Sequence, residues 1–156
     1  MKIKNILELI EKKRIFFIYI PLTLYWLLLI FATSLPTASM PSVGINDKFE
    51  HFGAYFGLTC LLVLTYRFQG KFEGLRKRPH LYAFLTIAFY GMIDEIHQIF
   101  IPGRSCEFGD FLADVIGGLI GLGLTWLLLK QDDNRGGMTE RESNMPESSL
   151  TESEES

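Results

Sequence analysis

Asp94, Glu95, His97, Gln98, Arg104, Glu107, Asp110 and Asp114 crowd into Gly91–Gly118, between the apolar runs Leu81–Tyr90 and Ile116–Leu129. A second polar group, Asp47, Lys48, Glu50 and His51, opens an earlier apolar run. Carboxylates beside histidines are the equipment of general acid–base chemistry. Arginine and lysine next to them suit an anionic head, a phosphate or a carboxylate. An ionisable group at the centre of a membrane-spanning helix costs about 2.5–3.5 kcal/mol, so such a group marks a functional site until shown to be structural.

The spacing sharpens this. Asp94, His97 and Gln98 fall at i, i+3 and i+4, and Glu95 meets Gln98 at i+3, so a helix shows all four on one broad face. Asp110 and Asp114 fall at i and i+4, and their face continues to Gly117, Gly118 and Gly121. The acidic face is therefore also the close-packing face, which points it into a bundle. Seven acids (Asp47, Glu50, Asp94, Glu95, Glu107, Asp110, Asp114) stand against two permanent bases, Lys48 and Arg104. In a low dielectric they cannot all ionise; shared protons, a protonated His51 or His97, or a bound cation must relieve them.

As an enzyme, the cluster offers His51 or Glu95 as general base, Asp110 to orient it, and Lys48 and Arg104 to hold an anionic headgroup. No serine or cysteine nucleophile stands out, because Ser105 and Cys106 sit in a loop without a paired base. His51, Glu95 and Asp110 have metal-ligating side chains, but their spacing matches no established zinc pattern. No metal and no cofactor is expected. The bland alternative is polar glue between helices, about 1–2 kcal/mol in model peptides, with Lys48 and Arg104 snorkelling to the interface.

These residues need helices to position them. Ile15–Leu35, Lys48–Phe68, Leu81–Ile101 and Phe111–Lys130 are four spanning candidates; the first, at about 1.5 Å per residue, reaches about 31 Å. Pro21 should kink the first span. A signal peptide competes for that segment, but its apolar run is longer than the usual 7–15 residues. Residues 2–14 place Ile3, Ile6, Leu7 and Ile10 on one face, which suits either a surface helix or an unstructured charged flank. Three regions follow: the flank 1–14, a four-helix transmembrane domain 15–130, and an acidic Ser/Glu-rich tail 131–156 without hydrophobic periodicity, expected to be disordered.

The formal charge of −3 averages unlike parts: residues 1–130 hold 13 Lys+Arg against 10 Asp+Glu, and residues 131–156 hold 2 against 8. Basic residues concentrate in the N-terminal flank and in 67–80, which places both on the cytoplasmic side. The fold class is thus an all-α membrane protein, a bundle of four transmembrane helices with both termini cytoplasmic. The openings of spans two and four and the end of span three then share the extracytoplasmic side. Cys60 and Cys106 lie at different depths, which argues against a disulfide. No nucleic-acid module is present. Gly53/Gly57 and Gly117/Gly121 offer small-residue faces for helix packing or for a homo-oligomer.

Asp47–Leu58 (DKFEHFGAYFGL) with Asp94–Gly121 resembles the VanZ-like family of bacterial membrane proteins, over roughly residues 20–130. The signature D-K-x-x-H-F-x-x-Y, E-x-x-Q-x-F-x-P-x-R, D-x-x-x-N-x-x-G falls on Asp47, Lys48, His51, Phe52 and Tyr55; on Glu95, Gln98, Phe100, Pro102 and Arg104; and on Asp110 and Gly117. Where the pattern has Asn, this chain has Asp114. The resemblance implies a bacterial inner-membrane protein with an envelope role, teicoplanin tolerance being associated with the family's namesake. Membrane lipids, an envelope precursor or a glycopeptide are the implied partners. His51, Glu95 and Asp110 are the candidate catalytic residues, and Asp47, Lys48, Tyr55, Gln98, Arg104 and Asp114 the candidate binding residues. Binding without chemistry is the first expectation. An intramembrane acid–base hydrolase or transferase acting on an anionic lipid-linked substrate is the alternative, and a proton-driven transporter or scramblase comes last, since the polar residues stop at the outer third.

Overall fold

The order of breakers and apolar runs fixes the helices. In the computed structural model, which describes residues 9–10, 12–36 and 47–143 (side chains through 131), they are α1 (Ile20–Thr33), α2 (Asp47–Phe68), α3 (Glu73–Lys77), α4 (Pro79–Gln98) and α5 (Phe108–Ser143). No strand occurs among the described residues. Most of the N-terminal flank, the segment 37–46 within the expected first loop, and 144–156 of the tail lie outside the described residues.

Pro21 leaves its mark as a change of winding. Ile15–Tyr19 is π-helical and passes directly into α1, where proline takes a position in the first turn. Within this continuous run the Ile20 amide still bonds the Ile15 carbonyl, and the N–H that proline lacks falls where the winding changes from π to α. α4 likewise starts on Pro79 and ends at Gln98, before Pro102, in a turn completed by Gly103 at φ 81°. That backbone conformation is open to glycine at little cost.

Two elements differ from the sequence expectation. The basic segment 67–80 contains α3, steadied by Gln69: its Oε1 accepts from the amides of Lys71 and Phe72, at 2.8 and 2.7 Å, and its amide donates to the Phe72 carbonyl. The last helix does not stop at Lys130 but continues to Ser143. Once nucleated, a helix adds residues at small cost each, and this one runs on through Asp132, Asp133, Gly136 and Gly137. Residues 1–126 form one compact unit and 127–156 a second.

Within the first unit the helix directions follow from the contacts. Arg14 donates to the Phe68 carbonyl and Tyr25 Oη to the Ala54 carbonyl at 2.9 Å, so α1 and α2 are antiparallel. Tyr66 and Thr86 hydroxyls meet at 2.9 Å while Tyr55 packs on Tyr90, so α2 and α4 are antiparallel too. Lys48 meets Asp110, His51 meets Asp114 and Phe56 lies against Gly121, so α2 and α5 run parallel. Glycine makes that last approach close: a Cβ at Gly117 would strike the Phe52 carbonyl, and one at Gly121 would sit 2.9 Å from the Phe56 carbonyl. This face is spent inside the chain. Gly57 lies under the Tyr25 hydroxyl, whereas Gly53 faces open space.

Two helical stretches, Ile15–Thr33 and Phe108–Gln131, are long and apolar enough to cross a membrane. Their large side chains mostly point outward, among them Phe16, Leu24, Phe31, Ile116 and Leu127. A core helix of a water-soluble protein would bury them. α2 and α4 are less apolar because they carry the polar side chains of the site.

Candidate functional site

The polar side chains converge at one end of the first unit. His51 reaches across to α5 and meets Asp114, Nδ1 to Oδ1 at 2.9 Å, with both side chains buried. Lys48, three residues earlier on α2, donates to Asp110 Oδ1 at 2.8 Å and to Glu107 Oε2 at 3.2 Å. Because the two helices are parallel, each step of one turn on α2 finds the acid one turn further along α5. This register gives His51 to Asp114, not to Asp110. Asp110 is the partner of Lys48, so the group placed to orient the histidine is the acid that stands where the family pattern has Asn.

α4 supplies the third wall, where Asp94, Glu95 and Gln98 are all buried. Glu95 Oε2 accepts the Glu107 amide at 2.9 Å, while its Oε1 has no partner. Gln98 donates to Asp94 Oδ2 at 3.5 Å and accepts from Arg104 Nη1 at 3.4 Å. Arg104 also donates to the Ala32 carbonyl at 3.4 Å, which ties the loop after α4 to the end of α1. The Tyr55 hydroxyl and Asp114 Oδ2 are buried without partners, and Gly91 clears the space beside them: a Cβ there would lie 3.3 Å from Asp114 Oδ2 and 3.4 Å from the Tyr55 ring.

A cleft of about 110 Å³ opens onto this cluster between α1, α2 and α4. Leu29 and Ala54 give it apolar walls, and Asp47, Glu50, His51, Tyr55, Asp94 and Arg104 bring polar or ionisable groups. Of the candidate residues, His51, Tyr55, Asp47 and Arg104 line the cleft. Glu95, Asp114 and Gln98 stand behind it, and Lys48 with Asp110 forms a separate pair along the α2–α5 seam.

Some contributors are not obvious in the sequence. Tyr90 lines the cleft between Trp26, which it meets edge to face, and Tyr55, at centroid distances of 5.5 and 6.0 Å. Its signal was position alone, one turn before Asp94 on the same face. Glu107 acts twice, through its carboxylate on Lys48 and its amide on Glu95. His97 is half-buried and does not line the cleft. Cys60 and Cys106 are both free thiols.

The family model described as VanZ/LLP1 matches residues 2–129. The chain belongs to the VanZ/LLP1 family. The match takes in every residue of the cluster, from Asp47 to Asp114, and ends inside α5. Searches of curated proteins and of solved structures return no match. The site of this VanZ-family chain is thus read from its own geometry: a cleft lined by His51, Asp94 and Arg104, with Glu95 and Asp114 buried next to His51.

Proposed function

We propose that this VanZ-family chain is a four-span protein of the bacterial inner membrane that binds the anionic head of an envelope lipid or cell-wall precursor in its outward cleft. The placement of Arg104 and His51 in the lining of one cleft carries this reading. A guanidinium presents paired donors to phosphate or carboxylate, and the apolar walls receive the first carbons beyond the head. A carboxylated glycopeptide such as teicoplanin presents the same chemistry at the mouth. Four spans are supported by the alternating helix directions and by outward-facing apolar side chains on α1 and α5. The basic residues of the N-terminal flank and of 67–80 support cytoplasmic termini.

Binding is tested with the full chain in nanodiscs, titrated with a polyprenyl phosphate and with a zwitterionic lipid. The anionic lipid should bind tighter, and Arg104→Ala should weaken it at least tenfold. Equal affinity for the two lipids sinks the reading. The orientation has its own test, since Cys106 is exposed in the loop after α4. A membrane-impermeant maleimide should label it from the extracytoplasmic side of intact spheroplasts; labelling only after lysis inverts the topology.

A second reading is favoured by the His51–Asp114 contact at 2.9 Å. An imidazole held by a carboxylate is the arrangement of a general base and its orienting group. Under this reading the chain is an intramembrane hydrolase or transferase acting on an anionic lipid-linked substrate. Release of phosphate or of a transferred group from such a lipid, abolished by His51→Ala, would establish it; binding without turnover would leave the first reading in place.

A further inference from the structure

Three buried side chains from three helices converge here: His51 on α2, Glu95 on α4 and Asp114 on α5, each able to offer one donor atom within 4.8 Å of the other two. Around a small divalent ion, at ligand distances of about 2.0–2.2 Å, donors lie roughly 3–4 Å apart. The three therefore need to close by only about 1 Å. The set differs from the one the sequence suggested by having Asp114 in place of Asp110, because the parallel register of α2 and α5 brings Asp114 to the histidine.

Convergence of acids alone proves nothing. The second observation is how each carboxylate is held. Glu95 fixes Oε2 with the Glu107 amide and leaves Oε1 bare. Asp114 leaves Oδ2 bare, and its Oδ1 lies 2.9 Å from His51 Nδ1, a separation that two donors facing one small ion can have. Both residues are more than nine-tenths buried, where an acceptor without a partner is costly. In Glu95, one oxygen anchored from outside the set and one free is how a ligating carboxylate is arranged, the outer partner fixing the direction of the inner atom.

We propose that His51, Glu95 and Asp114 bind a divalent transition-metal ion, Zn²⁺ in the first instance. Mixed imidazole and carboxylate donors suit Zn²⁺, Fe²⁺ or Mn²⁺ better than Ca²⁺, which takes oxygen ligands. Three protein ligands leave a coordination position open, as in catalytic rather than structural zinc sites. His51 lines the cleft, so that position is within reach of an oxygen of the anionic ligand. The ion would balance two carboxylates that have little water around them. The acid at position 114 then has a use that an Asn, a weak neutral ligand, could not fill.

The experiment uses the full chain, purified in detergent without chelator or metal-affinity resin and assayed for metals by plasma mass spectrometry. About one transition-metal ion per chain is expected, or uptake to that level from added Zn²⁺. Glu95→Gln and Asp114→Asn, which keep side-chain shape, should each lower zinc affinity at least tenfold while the helical circular dichroism is unchanged. Should either variant unfold, wild-type protein stripped with EDTA and reloaded with Co²⁺ decides: visible ligand-field bands of a nitrogen and oxygen site support the proposal, and an aqua-ion spectrum overturns it. Wild-type protein that neither carries nor takes up metal, or zinc affinity equal in wild type and both variants, also overturns it. Lipid binding without metal defeats this proposal alone, and metal without lipid binding defeats only the anionic-ligand reading.

Discussion

The seam between α2 and α5 has two ends built on opposite terms. Toward the helix starts it is polar, with Lys48 on Asp110 and His51 on Asp114. From the next turn on, glycines close onto it, with Gly117 and Gly121 against the carbonyls of Phe52 and Phe56 and Gly118 under the side chains of Ile87 and Thr59. The glycine end has no slack, since a single methyl group collides with main chain. The polar end leaves Asp114 Oδ2 without a partner, as the neighbouring Tyr55 hydroxyl and Glu95 Oε1 also are. Rigid packing at one end holds unsaturated polar groups at the other, which is how a site is kept in place when its own contacts do not favour it.

Breaking the tight end should have the largest effect. Gly117→Leu drives a side chain into the Phe52 carbonyl, which cannot rotate away; about 3 kcal/mol, the upper part of the overpacking range, is expected. Thermal melting in detergent, together with folded yield, reads it. At the polar end the effect should fall on function. Glu95→Gln should lower zinc affinity at least tenfold, about 1.4 kcal/mol, with the melting temperature within a few degrees of wild type. A collapse of the fold there would make the cluster structural glue and erase the contrast between the ends.

Lys48→Met probes the half-exposed pair, whose side-chain exposures are 44% for Lys48 and 6% for Asp110. A pair with one partner open to water is screened and contributes little to stability. The loss should shrink as salt is raised, and urea titrations at two ionic strengths measure it. The smallest change is expected at Gly53, which has nothing near it. Gly53→Ala should stabilise α2 by about 0.5–1 kcal/mol through helix propensity alone. Destabilisation, or a shift in oligomeric state by light scattering, would show that a second copy packs there.

The sequence carried the helices well because apolar length and proline position report on local physics. Ile15, Asp47, Pro79 and Phe108 start helical segments close to where the runs and breakers put them. The helical run past Lys130 leaves no mark in the sequence, because a polar helix has no hydrophobic period. The grouping of His51, Glu95 and Arg104 at one end was legible from charge and orientation. The pairing was not. Which acid meets His51 depends on the axial offset of two helices whose glycines mesh, and a spacing of one turn between Asp110 and Asp114 leaves both eligible. The role of the Glu107 amide was invisible for a related reason, since a backbone donor has no residue type.

The parallel seam also sets an order of manufacture. His51 and Asp114 are 63 residues apart, and at about 5–20 residues per second the ribosome takes roughly 3–13 s to deliver the second after the first. For that interval a nascent α2 carries its imidazole toward the bilayer with no carboxylate from α5 to receive it. The last helix is therefore the closing part of the assembly, and a chain stalled or cut before it exposes the polar face to whatever lipid or insertion machinery stands beside it.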